Sequence, residues 1–255
     1  MLSLATLLPL ALLASNAAAA PTVAKRAALS KKGAGADDLG LLANLDVSWQ
    51  YSWSSTPKGT AKAGAEFVPM LWNGNAGTWA TNAQNAINSG STHLLGFNEP
   101  DLNTQANMDV ATAASAWKAN MSPFAGKATL VSPAVTNGAS PMGVAWLESF
   151  RDTCPECWNE IDAVALHWYD SSANLQYFYD YLDDAYGRLG KPLWLTEFAG
   201  SGSSEQQQEF LRQVIPWMEK TDFIERYAGF GAFAGNYVNA DASLTPLGQV
   251  YSDTV

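Results

Sequence analysis

Two glutamates stand in matched local settings. Thr92-His93-Leu94-Leu95-Gly96-Phe97-Asn98-Glu99-Pro100 is a short apolar run that stops at a polar pair and a proline. Pro192-Leu193-Trp194-Leu195-Thr196-Glu197-Phe198 repeats the design, again closing an apolar run on a glutamate. Runs of this length read as buried strands. Pro100 has no amide donor and biases Glu99 away from helix, so Asn98 and Glu99 fall where the strand empties into a loop. Two carboxyl groups delivered from two strand ends suit cleavage of a glycosidic bond. One acid protonates the leaving oxygen, and one carboxylate attacks or assists from the other face. We assign Glu99 as acid/base, Glu197 as nucleophile and Asn98 as a partner of the sugar 2-hydroxyl. One such glutamate alone would suit a solvated strand end equally well; the matched pair favours chemistry.

Other chemistries find no support. The chain has no G-x-S-x-G and no glycine-rich phosphate loop, which removes serine hydrolases and nucleotide enzymes. The two histidines, His93 and His167, are far apart and lack paired acidic ligands, so neither a metal nor any other cofactor is expected. His167 closes the apolar run Ile161 to Leu166, where it could orient a carboxylate or bind a hydroxyl. His93 begins its strand and reads as structural. Aromatic residues gather at expected strand ends, where rings can stack on flat sugar faces: Trp49, Tyr51 and Trp53; Trp72; Trp168 and Tyr169; Phe230 and Phe233. Trp117, Trp146 and Trp217 lie on helical patterns and read as core.

Alternating segments must position these groups. Strands are expected over a degenerate segment at 31–35, then Leu45 to Trp49, Glu66 to Trp72, Leu94 to Phe97, Ala128 to Ser132, Ile161 to Leu166, Leu193 to Glu197 and Arg226 to Phe233. Helical periodicity covers Trp79 to Ser89, Ala106 to Met121 and Asn174 to Leu189. A further helix starts at Ser140-Pro141, and another is capped by Ser203 or Ser204, with Pro216 kinking or ending it. Eight strands in β-then-α order predict an α/β fold, a compact single-domain (β/α)8 TIM barrel, with Glu99 ending the fourth strand and Glu197 the seventh.

The 255 residues suit one such domain, and 47% apolar content is ample for its core. A formal charge of −10 excludes a nucleic-acid partner, disfavours anionic membranes and acidic polysaccharides, and fits a neutral substrate. Residues 1–20 read as a signal peptide, followed by a short pro-segment, 21–26, ending in the dibasic pair Lys25-Arg26. The catalytic domain then runs over 27–255. No apolar tail follows at Tyr251 to Val255, so no glycolipid anchor is expected. A secreted monomer, extracellular or in the cell wall, is the expectation. Cys154 and Cys157, after a signal peptide, point to a small local disulfide. Asn120-Met121-Ser122 is the single N-x-S/T match.

The segments VSWQYSW, EFVPMLWN, LLGFNEPD, LVSPAVTNG, IDAVALHWYD, LWLTEFA and YAGFGAF resemble, in this order, glycoside hydrolase family 128. This is the fungal alkali-sensitive-linkage-protein-like group of (β/α)8 β-1,3-glucanases. The resemblance covers nearly the whole chain after the leader. It implies a retaining mechanism on β-1,3-glucan, with Glu99 as acid/base and Glu197 as nucleophile. It also implies that Trp72, Asn73, Asn98, His167 and Tyr169 line the sugar site, to which strand-end position adds Trp49, Tyr51 and Phe233. Relatives of this barrel type often carry Trp near the end of the last strand, where this chain has Phe230 and Phe233. Some members only bind oligosaccharides, which leaves a binding or structural wall role as the alternative. Short connections such as Asp170 to Ala173 and Ala199 to Gly202 predict an open groove and cleavage inside chains, against exo-acting removal of end units.

Overall fold

The computed structural model describes residues 31–255. The expected signal peptide, the pro-segment and the Lys25-Arg26 site lie outside them. Eight parallel strands follow one another in chain order: β1 Lys32–Gly35, β2 Trp49–Tyr51, β3 Glu66–Phe67, β4 His93–Leu95, β5 Thr129–Val131, β6 Val164–Ser171, β7 Leu193–Ser201 and β8 Ile224–Gly229. Continuous ladders join β3-β2-β1-β8-β7-β6 and, separately, β4-β5. Single parallel bridges span the two seams, Met70 to Leu95 on one side and Val131 to Ala163 and Val135 to Leu166 on the other. The strands therefore form a ring in sequence order, as expected of a (β/α)8 barrel.

Helices α1 Trp79–Asn88, α2 Val110–Asn120, α3 Val144–Thr153, α4 Pro155–Glu160, α5 Leu175–Leu189, α6 Ser204–Lys220 and α7 Pro246–Asp253 connect or follow the strands. Their boundaries follow local chemistry. Ser203 and Gln206 form a reciprocal capping box at the start of α6. Gly190 ends α5 in the left-handed region, at φ 66°. Each helix turns an apolar stripe inward, in α5 Phe178, Leu182, Ala185 and Leu189. Pro216 lies inside α6, which continues to Lys220. The helix expected at Ser140 begins only at Val144, because Asp101 takes the amide of Gly143 and holds the preceding segment as a loop. Asn120 Nδ2 at the end of α2 donates to the Ala116 carbonyl. A disulfide joins Cys154 to Cys157 across the junction of α3 and α4.

The barrel interior is a separate apolar layer of Trp49, Tyr51, Val68, Met70, Leu95, Val131, Ala163, Ala165, Trp194 and Ala228. Trp49 fills its lower half only because residue 33 is glycine: a Cβ there would lie 2.1 Å from the indole. At the amino ends of β3 and β4 the layer is closed by polar groups. Glu66 Oε1 accepts from the Thr92 amide at 2.7 Å and contacts His93 Nδ1 at 2.9 Å, while Oε2 accepts from Arg226 at 2.7 Å. The Arg226 guanidinium also packs over Trp194, 4.6 Å from the ring centroid. Burial alone would raise the Glu66 pKa, but the His93 hydrogen bond and the Arg226 charge hold it down at about 2, against an ordinary value of 4.5. A depressed carboxylate contributes stability above its unfolded pKa and loses it as pH falls through the folded one. The stability gap between the native chain and Glu66→Gln, followed by urea unfolding, should thus be full above about pH 4.5 and shrink toward pH 2. A gap that stays constant over that range would contradict this role.

Candidate active site

At the carboxyl end of the barrel the strands open into a cleft of about 800 Å³. Glu99 and Glu197 stand in its floor, 6% and 5% exposed. One oxygen of each lies, with His167 Nδ1, in a group whose members are all within 4.8 Å of one another. His167 is fully buried, and its Nδ1 lies 2.7 Å from Glu99 Oε1 and 3.4 Å from Glu197 Oε2. Burial would lower the His167 pKa; the charge of Glu197 and the contact with Glu99 outweigh it and raise it. The sequence named all three residues, with His167 as a possible orienter of a carboxylate; what it did not show is that His167 touches both carboxylates at once. The geometry of the cluster could also hold a cation, although each ligand atom already has a protein partner.

Glu197 is the better supplied with donors. Trp53 Nε1 donates to its Oε1 at 2.7 Å, and the Tyr169 hydroxyl donates to its Oε2 at 2.5 Å. The two donors fix both oxygens of this carboxylate in place. Glu99 has one side-chain contact, with His167. Its backbone is left-handed, φ 46°, which for a residue with a Cβ costs about 1–3 kcal/mol. The amide of Glu99 is fixed by the Ala134 carbonyl at 2.7 Å.

A bulge brings Glu197 inward. Strand side chains alternate faces, so Trp194 and Glu197, three apart, would point oppositely. Leu166 pairs with Leu195, but His167 pairs with Glu197, leaving Thr196 as the extra residue. The ladder to β8 shows the same extra residue between Leu195 and Phe198. The Thr196 carbonyl, released from regular pairing, accepts from the Tyr51 hydroxyl at 2.8 Å. The bulge thereby lets one strand contribute both a core tryptophan and a carboxylate to the interior.

The expected sugar-site residues divide. Asn98, Trp72, Tyr169 and Phe233 line the cleft with the two glutamates. His167 lies beneath them, against both carboxylates. Trp49 does not reach the cleft: it is fully buried, stacked 5.7 Å from Tyr51, with Nε1 bound to the Lys31 carbonyl. Tyr51, 1% exposed, is the layer below the site and offers no face to a sugar. The reason is register. The strand expected at Leu45 to Trp49 lies at Trp49–Tyr51, so the inward column climbs through Trp49 and Tyr51 to Trp53. Trp53 is the ring at the cleft, stacked near Phe233 at 6.3 Å. Asn73 is not among the residues facing the cleft; its Oδ1 caps a turn by accepting from Asn75 N.

Sequence reading also missed a chain of contacts beside the cleft. Asp101 accepts from the Thr136 amide and hydroxyl and from the Gly143 amide. Asn137, next in line, exchanges hydrogen bonds with the backbone of Tyr169. Glu99's loop is thus strapped to the residue that holds Glu197. Asp101 two residues after Glu99 was visible, but its partners lie 35 and 42 positions away. Asp101→Ala strands three donors and should destabilise folding by about 2 kcal/mol in urea unfolding. A change within about 0.5 kcal/mol, the range of ordinary surface substitutions, would show that the strap carries little.

A family described as the glycosyl hydrolase catalytic core matches residues 29–251. Alkali-sensitive linkage protein 1 of Schizosaccharomyces pombe is 30% identical over 229 residues, 82% of this chain. The chain spans 40% of the length of that relative. A Blastomyces gilchristii enzyme, a subgroup III curdlan-specific exo-β-1,3-glucanase of glycoside hydrolase family 128 crystallised with glucose, superimposes with a TM-score of 0.81 at 39% identity, over 87% of this chain and 97% of its own. A subgroup I endo-β-1,3-glucanase of the same family from Amycolatopsis mediterranei, crystallised with laminaripentaose as a glutamate-to-alanine variant, gives 0.77 at 31% identity, over 89% and 100%. With the catalytic core matched almost end to end and the two crystallised enzymes covered over 97% and 100% of their chains, this chain belongs to glycoside hydrolase family 128.

Proposed function

We propose that the protein hydrolyses β-1,3-glucan with retention of configuration, cutting within chains. The observation that carries this is the close pair of carboxyl oxygens, within 4.8 Å, with unequal surroundings. Retaining glycosidases hold their carboxyl groups about 5–5.5 Å apart, and inverting ones about 6.5–9.5 Å. The proton held between Glu99 and His167 goes to the glycosidic oxygen as the Glu197 carboxylate attacks the anomeric carbon. The C–O bond to the leaving sugar breaks, and a glycosyl ester forms on Glu197. Glu99 then takes a proton from water, whose oxygen displaces Glu197 and restores the β configuration. Asn98 Oδ1, buried and without a partner among the described residues, is available to the sugar 2-hydroxyl.

Substrate comes from charge and from the relatives. A net charge of −10 suits a neutral polysaccharide, and both crystallised relatives act on β-1,3-glucan. Secretion rests on the leader sequence. No helix among the described residues is long and apolar enough to cross a membrane. Cleavage within chains is supported by a cleft lined from Asp37 and Lys58 at β1 and β2 to Leu102 and Gln105 after β4. The exo-acting Blastomyces relative, with its 39% identity and bound glucose, favours the second reading, release of end units.

Glu197→Gln should lose hydrolysis of laminarin while its thermal unfolding stays near that of the native chain; retained turnover would name another nucleophile. Tyr169→Phe removes one hydrogen bond to that carboxylate and should lower kcat by about 10–100-fold with little change in KM. An unchanged kcat would mean the phenol does not support the reacting carboxylate. With reducing-end-labelled laminarihexaose, early products should be a ladder of oligosaccharides. Glucose as the sole early product would establish the exo reading.

A further inference from the structure

Tyr169 and Phe230 meet edge to face at 5.2 Å and form a wall with two sides. One side faces the catalytic cleft. The other faces a second cavity of about 530 Å³ between the ends of β6 and β7, the start of α6 and the segment after β8. Its inner surface carries Phe210, Leu211, Gly200 and Tyr237, and Asp170 and Gln207 stand among its polar groups.

One hydroxyl of this lining, that of Tyr237, has no protein partner among the described residues. Tyr237 is 3% exposed, and its ring stacks on Tyr251 at 4.8 Å and 15°. Its hydroxyl makes no hydrogen bond among the described residues. Burial raises its pKa, so it stays a neutral donor. A phenol hydroxyl in such a setting, without a protein partner, is normally satisfied by water or a ligand. Aromatic and aliphatic walls with a few convergent polar groups, at this volume, describe a small-molecule site. No Lys, Arg or His lines it, and Asp170 adds negative charge, so an anion is excluded and a neutral polyol fits.

We propose that this cavity is a carbohydrate subsite holding one glucosyl unit of the glucan bound in the cleft, on the far side of the Tyr169–Phe230 wall. The inference rests on the glucanase reading above. The unit has two possible sources, a β-1,6-linked side branch or the main chain turning out of the cleft, and they share one chemistry.

Isothermal titration of the Glu197→Gln protein tests it, with linear laminarihexaose and with the same hexaose bearing one β-1,6-glucosyl branch. On that background Gln207→Trp fills the cavity from the surface of α6, and Tyr237→Phe removes only the unpartnered hydroxyl. Gln207→Trp should weaken at least one ligand by about tenfold, and Tyr237→Phe by about fivefold without lowering the Tm, since no protein hydrogen bond is lost. Weakening of the branched ligand alone identifies a branch subsite; equal weakening of both identifies a continuing chain. Unchanged affinity for both ligands in the folded variants overturns the proposal and leaves the cavity to water. Should Gln207→Trp fail to fold, Tyr237→Phe decides alone. If Glu197→Gln with an intact cavity binds neither ligand, the glucanase reading itself fails and takes the subsite with it.

Discussion

Two carboxyl groups, one oxygen of each within 4.8 Å of the other in a nearly closed floor, are the constraint that the upper half of this barrel serves. Like charges so close, out of water, repel strongly, and both groups cannot be treated alike. The protein resolves this by asymmetry. Trp53 and Tyr169 donate to Glu197, whereas Glu99 faces the imidazole of His167, which can carry or release a proton. One group is held by two donors and the other faces an imidazole that can exchange a proton with it. This division of labour is what double displacement at a sugar centre requires.

The scaffold makes the arrangement rigid. Interior aromatic rings rise in a column from Trp49 through Tyr51 to Trp53, so the donor to Glu197 rests on a packed base and not on a loose loop. The bulge at Thr196 turns the carboxylate inward and ties itself to Tyr51. Outside the ring, Asp101, Thr136 and Asn137 link the loop of Glu99 to the backbone of Tyr169. The left-handed backbone at Glu99 and Trp53 is the local strain that this bracing holds in place. Far below, Glu66, His93 and Arg226 close the other mouth.

The strand-terminal glutamates, the order of strands and most helices could be read from the chain, because apolar runs, prolines and caps are local signals. Glu99-Pro100 and Thr196-Glu197 mark strand ends whatever the rest of the fold does. Side-chain direction was harder. A shift of the second strand by a few residues placed Trp49 in the core and raised Trp53 to the cleft, and no local pattern encodes that register. The bulge at Thr196 is equally silent, since it is defined only by pairing with β6 and β8. The resemblance placed Asn73 in the sugar site, yet a turn claimed its side chain. Contacts between loops, such as Asp101 with Gly143, depend on tertiary proximity that a single sequence does not display.

The central claim is that Glu197 becomes covalently attached to the sugar while Glu99 handles the proton. Incubation with a 2-deoxy-2-fluoro-β-laminaribiosyl fluoride, which forms the glycosyl ester quickly and hydrolyses it slowly, followed by peptide mapping in a mass spectrometer, tests this most directly. The account predicts loss of activity with one laminaribiosyl mass added, carried by Glu197. A label on Glu99 or another residue, or unlabelled protein that still cleaves laminarin, would contradict it.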